Sequence, residues 1–184
     1  MNRTEQILDE LRSALSPEVI AQIPDFAQAI LQSGQICSYG VGREGLMIKA
    51  LVMRLYHLGL DAHVVGDMTA PRLGMNDLLI ISAGPGNFST VSALVGVARK
   101  AGSKIACITS EPDGPVPLSA DMVINLPAQT MATTKKGNVV TSILPMGSLY
   151  EVMMFLFFEL LVLEIKDILG VSYDDMSTRH TNLE

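Results

Sequence analysis

One glutamate of this chain stands where a carboxylate can move protons. Glu151 closes the segment "PMGSLYE", three residues after Ser148 and directly before a long apolar stretch. The S-x-x-E spacing is that of a capping box, in which serine and glutamate satisfy free N–H groups at the start of a helix. A glutamate one turn into a helix is also suited to act as a general base, if it lies within hydrogen-bond reach of the proton. The residues alone favour the cap.

Two glycine-bearing loops are candidates for holding a ligand. "YGVGREG" places Gly40, Gly42 and Gly45 between an apolar run and a helical pattern, where a backbone can approach a ligand at a helix N-terminus. A tight turn explains these glycines equally well, so they identify no nucleotide. "SAGPGNFST" follows another apolar run and predicts an anion site, yet Pro85 and Phe88 stand where a phosphate cradle needs small residues with free N–H groups or hydroxyls.

The three histidines differ in context. His57 falls on a helical pattern near Arg54 and is expected to be half-buried or on the surface. His63 begins an apolar strand, where a hydrogen-bonded structural role is expected. His180 lies in the polar tail "TRHTNLE", where side chains are usually exposed. Only the active site of a partner subunit would give His180 a chemical role.

Composition and patterning exclude several classes of function. With 13 Lys and Arg against 19 Asp and Glu, the net charge of −6 argues against binding nucleic acid or anionic membranes. The apolar segment 152–165 is shorter than the ~20 residues of a bilayer span and contains Glu159, so it is not a membrane anchor. Because it is apolar on nearly every side, part of it is expected to pack against another subunit in a homo-oligomer, a dimer or tetramer. The chain starts without a signal peptide, which predicts a cytoplasmic protein.

The two cysteines, Cys37 and Cys107, both lie in apolar runs that resemble strands. Buried free thiols are therefore expected, rather than a disulfide or a metal pair.

The elements that must position these residues follow a simple order. Two leading helical patterns are followed by short β-branched runs that alternate with helices, which predicts a parallel sheet covered on both faces. A long helix is expected from Met146 to Leu169, with a polar tail after it. Ligands of such sheets bind outside the carboxyl ends of the strands. The candidate loops are Gly40 to Gly45, Gly66 to Pro71, Ser82 to Thr90, Thr109 to Pro117, and Pro127 to Ser148.

Three segments together resemble the SIS (sugar isomerase) domain, and specifically the 6-phospho-3-hexuloisomerase family. They are "GVGREGLMIKALVMRLYHLGLDAHVVGD" (Gly40 to Asp67), "PMGSLYE" (Pro145 to Glu151) and "RHTNLE" (Arg179 to Glu184). The similarity runs over nearly the whole chain, and "PMGS" with a closing H-x-N-L-E is more specific than any glycine loop.

The resemblance implies an α/β fold, a three-layer αβα sandwich around a five-stranded parallel sheet of flavodoxin-like SIS type. It implies a single SIS domain over 1–184, with leading helices in 1–34, an α/β core in 35–144 and the long helix and tail in 145–184. It further implies a homotetramer that uses neither a metal nor an organic cofactor.

The activity implied by the resemblance moves a carbonyl between neighbouring carbons, converting a 3-hexulose 6-phosphate to fructose 6-phosphate through an enediol. Glu151 matches the proposed base, and His180 matches a histidine thought to reach a neighbouring subunit's site. Substrate contacts are expected at Gly42, Arg43, Glu44, Thr69, Gly84, Gly86, Asn87, Ser89, Thr90 and Ser148.

Departures from the family pattern are concentrated in these loops. Glu44 replaces a serine, and Ala83, Pro85 and Phe88 stand where the family has two serines and a threonine. Each lost hydrogen bond to a phosphate is worth ~1.5–3 kcal/mol, so three losses would weaken binding by several orders of magnitude. A charged Glu44 at ~4 Å would add about 4 kcal/mol of repulsion.

Some groups would compensate in part for these losses. They are the N–H groups of Gly84, Gly86, Asn87, Ser89 and Thr90, with the two hydroxyls of the last pair. The sequence predicts a phosphosugar isomerase first. The alternatives are a non-catalytic protein that binds a carbohydrate derivative, and an isomerase for a non-phosphorylated sugar or for an amino sugar that Glu44 could pair with.

Overall fold

The computed structural model describes residues 2–132 and 142–183. This part of the chain begins with the helices α1 (Arg3–Ala14), α2 (Pro17–Ile20) and α3 (Ile23–Leu31). The α/β core follows as β1 (Ile36–Tyr39), α4 (Gly42–His57), β2 (Ala62–Val64), β3 (Leu78–Ser82), α5 (Ser89–Ala101), β4 (Lys104–Thr109), α6 (Pro115–Leu118) and β5 (Met122–Asn125). A 3₁₀ turn (Pro145–Gly147) leads into α7 (Ser148–Leu169), and α8 (Tyr173–Thr178) lies in the tail. The predicted ligand loop Pro127 to Ser148 includes 133–141, which lie outside the described residues.

The strands pair in the order β2-β1-β3-β4-β5, and every pairing is parallel. Alternate residues of the strands face opposite layers: Ile80 packs towards α3, α4 and α7, whereas Leu79 and Ile81 pack towards α5 and α6. The predicted three-layer α/β sandwich is confirmed. From β1 the chain crosses to β2 on one side and later to β3 on the other, so the carboxyl ends of β1 and β3 flank the point where strand order reverses.

The interrupted second helix is one difference from the sequence-based expectation. The helical pattern from Pro17 to Gly34 forms two helices, α2 and α3, with a turn at Ala21 and Gln22. Pro24 lies in the first turn of α3 and has no N–H, so the carbonyl of Ile20 cannot receive the hydrogen bond that would continue α2.

Helix α7 crosses the core with one buried face and one partly exposed face. Its buried face includes Tyr150, Phe157 and Leu161, whereas Phe155 and Leu163 are exposed. Among the helices described, none has both the length and the apolar character that crossing a bilayer requires. The expected apolar surface on α7 is therefore present, but it covers only one side of the helix.

Both cysteines are buried free thiols, as predicted. Cys37 faces α5, and Cys107 lies in β4, between β3 and β5. Burial raises the pKa of Cys37 to about 11 and that of Cys107 to about 12, so both remain protonated at neutral pH.

Close backbone contact explains the first glycine loop. A Cβ on Gly45 would lie 2.5 Å from the carbonyl oxygen of Gly40, and a Cβ on Gly40 would lie 2.9 Å from the N of Gly45. The two glycines let the end of β1 meet the first turn of α4. Backbone packing is thus sufficient to account for this part of the glycine pattern.

We expect Gly45→Ala to lower the free energy of unfolding by about 1–3 kcal/mol, because the added methyl group collides with rigid backbone. Gly96→Ala is the matched control: Gly96 also lies inside a helix, but a Cβ there meets no atom within 4 Å. That variant should gain about 0.5–1 kcal/mol from the better helix former. Urea unfolding of both variants measures the difference, and equal effects would contradict the packing argument.

Candidate active site

A cavity of about 550 Å³ opens at the carboxyl ends of β1 and β3. Its walls come from the first turn of α4, the loop after β3, the segment after β5 and the start of α7. The volume is within the ~300–1,000 Å³ typical of small-molecule sites. Six of the residues predicted from sequence line it: Gly42, Arg43, Glu44, Asn87, Ser148 and Glu151.

The capping-box interpretation of Ser148 and Glu151 is wrong. Met146 and Gly147 both have positive φ, at 54° and 84°, and Ser148 is already helical at φ −55°. Gly147 is the N-cap, and no side chain caps the helix. Because a Cβ on Gly147 would lie 2.7 Å from the N of Met131, the chain must enter α7 through this glycine. Glu151 is left with a different partner.

That partner is Arg43, whose Nε lies 2.5 Å from Oε2 of Glu151. The Glu151 side chain is only 13% exposed, whereas that of Arg43 is 60% exposed. Oε2 is buried and accepts no hydrogen bond of good geometry from the described residues, so the contact is an ion pair. Burial raises the pKa of Glu151, and the charge of Arg43 opposes that rise in part. A carboxylate with a raised pKa is a stronger proton acceptor than an exposed one.

Glu44 lines the cavity, but its carboxyl group is hydrogen-bonded within the protein. The residue is 8% exposed, and its Oε2 accepts hydrogen bonds from Ser82 Oγ at 2.5 Å and Gly84 N at 3.0 Å. These two donors draw the carboxyl group onto the end of β3. Burial raises the pKa of Glu44, which disfavours the charged form.

The contacts of Glu44 extend to Tyr150, the residue before Glu151. The hydroxyl groups of Ser82 and Tyr150 are 3.3 Å apart, and Tyr150 is buried. A Cβ on Gly84 would lie 2.8 Å both from Glu44 Oε1 and from Tyr150 Cε1, so only glycine fits between them. We call Glu44, Ser82, Gly84 and Tyr150 the Glu44 cluster. Its aromatic member was missed in the sequence, although it is adjacent to the predicted base.

The loop after β3 has fewer free donors than expected. The N–H of Gly84 is bound by Glu44, and the N–H of Gly86 donates to the carbonyl of Ala83 at 2.8 Å. Neither group can serve a ligand, because each is already used within the protein.

The remaining donors lie at the start of α5. Ser89 and Thr90 are exposed and do not line the cavity, although their N–H groups belong to the first helical turn, which has no acceptor within the helix. Asn87 lines the cavity, and its Oδ1 accepts a hydrogen bond from Ser92 Oγ at 2.9 Å.

Two further predicted residues lie away from this cavity. Thr69 is exposed in the turn after the edge strand β2. His180 packs against His57, with ring centroids 5.3 Å apart, at the far end of α4. His57 lies fourteen positions after Arg43 on this helix, a rise of about 21 Å. Within one subunit, His180 therefore lies far from Glu151.

The other two histidines can now be placed. His57 is 5% exposed, so the expectation of a half-buried or surface position was wrong: the tail that carries His180 covers it. His63 has Nε2 2.7 Å from Oδ1 of Asp61, which confirms the expected hydrogen bond.

The segment after β5 contributes Thr130, Met131 and Ala132 to the cavity wall. No motif marks these residues in the sequence. Their position after a strand was the available signal, since the loop beginning at Pro127 was among the candidates.

The sequence of this chain is similar to those of several proteins of named function. No family model matches the chain. It is 33% identical over 179 residues to a 3-hexulose-6-phosphate isomerase of Bacillus subtilis, covering 97% of this chain and 96% of the relative. It is 34% identical over 183 residues to a 3-hexulose-6-phosphate isomerase of Mycobacterium gastri, covering 100% and 90%.

A solved structure shares the fold at similar coverage. It is a Methanococcus jannaschii protein with a TM-score of 0.82 and 28% identity, over 99% of this chain and 97% of that one. A function of 3-hexulose-6-phosphate isomerase has been inferred for that protein from its crystal structure.

We expect Arg43→Met to raise the pKa of Glu151 further, because the cation that opposes the effect of burial is removed. Carbon-13 NMR titration of the glutamate side-chain carboxyl groups measures this shift. Arg54→Met is the matched control, since it removes a cation from the same helix that pairs with Glu159 at 3.4 Å. An unchanged Glu151 titration in Arg43→Met would contradict the ion pair.

Proposed function

The chain belongs to the 3-hexulose-6-phosphate isomerase family, and we propose that it interconverts a 3-hexulose 6-phosphate and fructose 6-phosphate. The observation that carries the proposal is the buried carboxylate of Glu151, paired with Arg43 in a cavity at the strand-order reversal. Isomerisation needs one base beside a carbonyl carbon, and Glu151 is that base.

The proposed reaction runs through an enediol. Glu151 removes the proton from the hydroxyl-bearing carbon next to the carbonyl, and the electron pair forms the carbon–carbon double bond. The carbonyl oxygen takes up negative charge and must receive a proton or a hydrogen bond. Glu151 then returns its proton to the carbon that carried the original carbonyl. The new carbonyl stands on the neighbouring carbon, from which the proton was removed.

Arg43 has a second part in this proposal. One of its N–H groups faces Glu151, while the guanidinium is 60% exposed and has further donors for an anionic substrate. The N-terminal turn of α5 adds backbone N–H groups that attract a phosphate. Because the Glu44 carboxyl is bound to Ser82 and Gly84, its repulsion of a bound phosphate is weaker than the sequence predicts. The hydroxyl groups that the family pattern has in the loop after β3 are not replaced.

The proposal includes a homotetramer in the cytoplasm, with each site completed by a neighbour's His180. Two observations support the assembly. Apolar side chains are exposed on α4 at Leu46 and Met53, and on α7 at Phe155 and Leu163. His180 lies too far from its own Glu151 to act there, so any catalytic role requires another subunit.

We expect Glu151→Gln to lower kcat by about 10²-fold or more, because the amide cannot accept a proton from carbon. The assay is conversion of 3-hexulose 6-phosphate to fructose 6-phosphate. Glu164→Gln serves as control, since Glu164 lies on the same helix about 20 Å further along. If the wild-type chain binds the sugar phosphate without turnover, the non-catalytic alternative replaces this proposal. Turnover of neutral or amino sugars alone would replace the substrate class.

Mixing of inactive variants tests the role of His180. Glu151→Gln and His180→Ala subunits should each be inactive alone. After joint unfolding and refolding they should recover part of the wild-type rate, because mixed oligomers contain sites with both residues intact. Each variant refolded by itself is the control. Full activity of His180→Ala would rule out its catalytic role.

A further inference from the structure

Two carboxyl groups line the same cavity in different surroundings. Glu151 lies against the guanidinium of Arg43, which stabilises its negative charge. Glu44 has no ion pair within the described residues, and its nearest polar contacts are the hydroxyl of Ser82 and the N–H of Gly84. When two neighbouring carboxyl groups differ in this way, one ionises first and the other stays neutral.

The two oxygens of Glu44 are not equivalent. Both donors, Ser82 Oγ and Gly84 N, bind Oε2. No described residue donates a hydrogen bond to Oε1, and Glu44 is among the residues that line the cavity. A proton on this carboxyl group therefore belongs on Oε1, because the lone pairs of Oε2 are already used.

The charged and titratable groups around Glu44 favour its neutral form. Glu151 and Tyr150 face it from α7, and the thiol of Cys107 lies beneath it in β4. Arg43 is on the same helix, but its side chain is directed at Glu151. Burial raises the pKa of Glu44, the charge of Glu151 raises it further, and the two hydrogen bonds oppose the rise.

We infer that Glu44 is a second catalytic carboxyl group of this site, which donates the proton of Oε1 to the sugar carbonyl oxygen while Glu151 removes the proton from the neighbouring carbon. The inference rests on the proposed isomerisation. It assigns a function to a residue that departs from the serine of the family pattern.

The proton balance closes over one turnover. Glu151 gains the carbon-bound proton as Glu44 gives its proton to the carbonyl oxygen, so the substrate becomes a neutral enediol. Glu44, now charged, takes the proton from the other enediol hydroxyl as the new carbonyl forms. Glu151 returns its proton to carbon, and both groups regain their starting forms.

The first experiment measures the protonation of Glu44 without substrate. At neutral pH, the wild-type protein should show the infrared band of a protonated carboxyl group. Glu44→Gln should lose this band, and Glu151→Gln should keep it. Thermal unfolding of both variants checks that they are folded. If Glu44→Gln keeps the same protonated-carboxyl band as the wild-type protein, the inference is overturned, whatever the isomerase assay shows.

The second experiment measures kcat against pH. Glu151 must be charged and Glu44 neutral, so the wild-type rate should fall at low pH and again at high pH. Glutamine keeps an acceptor for Ser82 and Gly84 and places an N–H donor at the position of Oε1, but it cannot transfer a proton. Glu44→Gln should therefore fold normally, lose about 10²-fold in kcat and lose the high-pH decline.

The outcomes separate this inference from the proposed function. If the wild-type enzyme turns over and Glu44→Gln keeps either full activity or the high-pH decline, the catalytic role of Glu44 is overturned. The proposed isomerase function then still stands. If the wild-type chain does not turn over but shows the Glu44 band, the proposed function fails and the catalytic role of Glu44 fails with it, leaving only its neutral state.

Discussion

The geometry of the cavity depends on the hydrogen bonds that Glu44 accepts from Ser82 and Gly84. They tie the first turn of α4 to the end of β3, across the point where strand order reverses. Glycine is required at both ends of this tie: Gly45 lets α4 approach β1, and Gly84 makes room for the Glu44 carboxyl and the Tyr150 ring. Arg43, the residue before Glu44, forms its ion pair with Glu151 of α7.

The two carboxyl groups of the cavity differ in the groups that compensate their charge. Arg43 is mostly exposed and compensates Glu151, whereas Glu44 is compensated only by neutral donors. Two carboxyl groups near each other cannot ionise with equal ease, and the one beside the cation carries the charge. An enediol reaction needs a base and an acid together, and one positive side chain placed on one side of the pair is enough to distinguish them.

Much of the fold could be predicted because its signals are local. The apolar runs of β1, β3 and β4 are buried on both faces and read as parallel strands, and the helical patterns between them require crossovers. The break between α2 and α3 was missed, although Pro24 marked it, because the apolar spacing continued across the turn. The cap at Ser148 was wrongly predicted for a related reason: S-x-x-E describes a helix start, but Gly147 with its positive φ takes the cap position.

The sequence by itself determined the strands and helices, the loops that carry the site and the identity of Glu151 as a candidate base. Tertiary structure alone decided what each carboxyl group touches. Glu44 meets donors 38 and 40 residues away, and Arg43 meets a glutamate on the last long helix. Periodicity records which side of an element is buried. It contains no information on which donor a buried carboxyl will meet, because that depends on how distant elements pack.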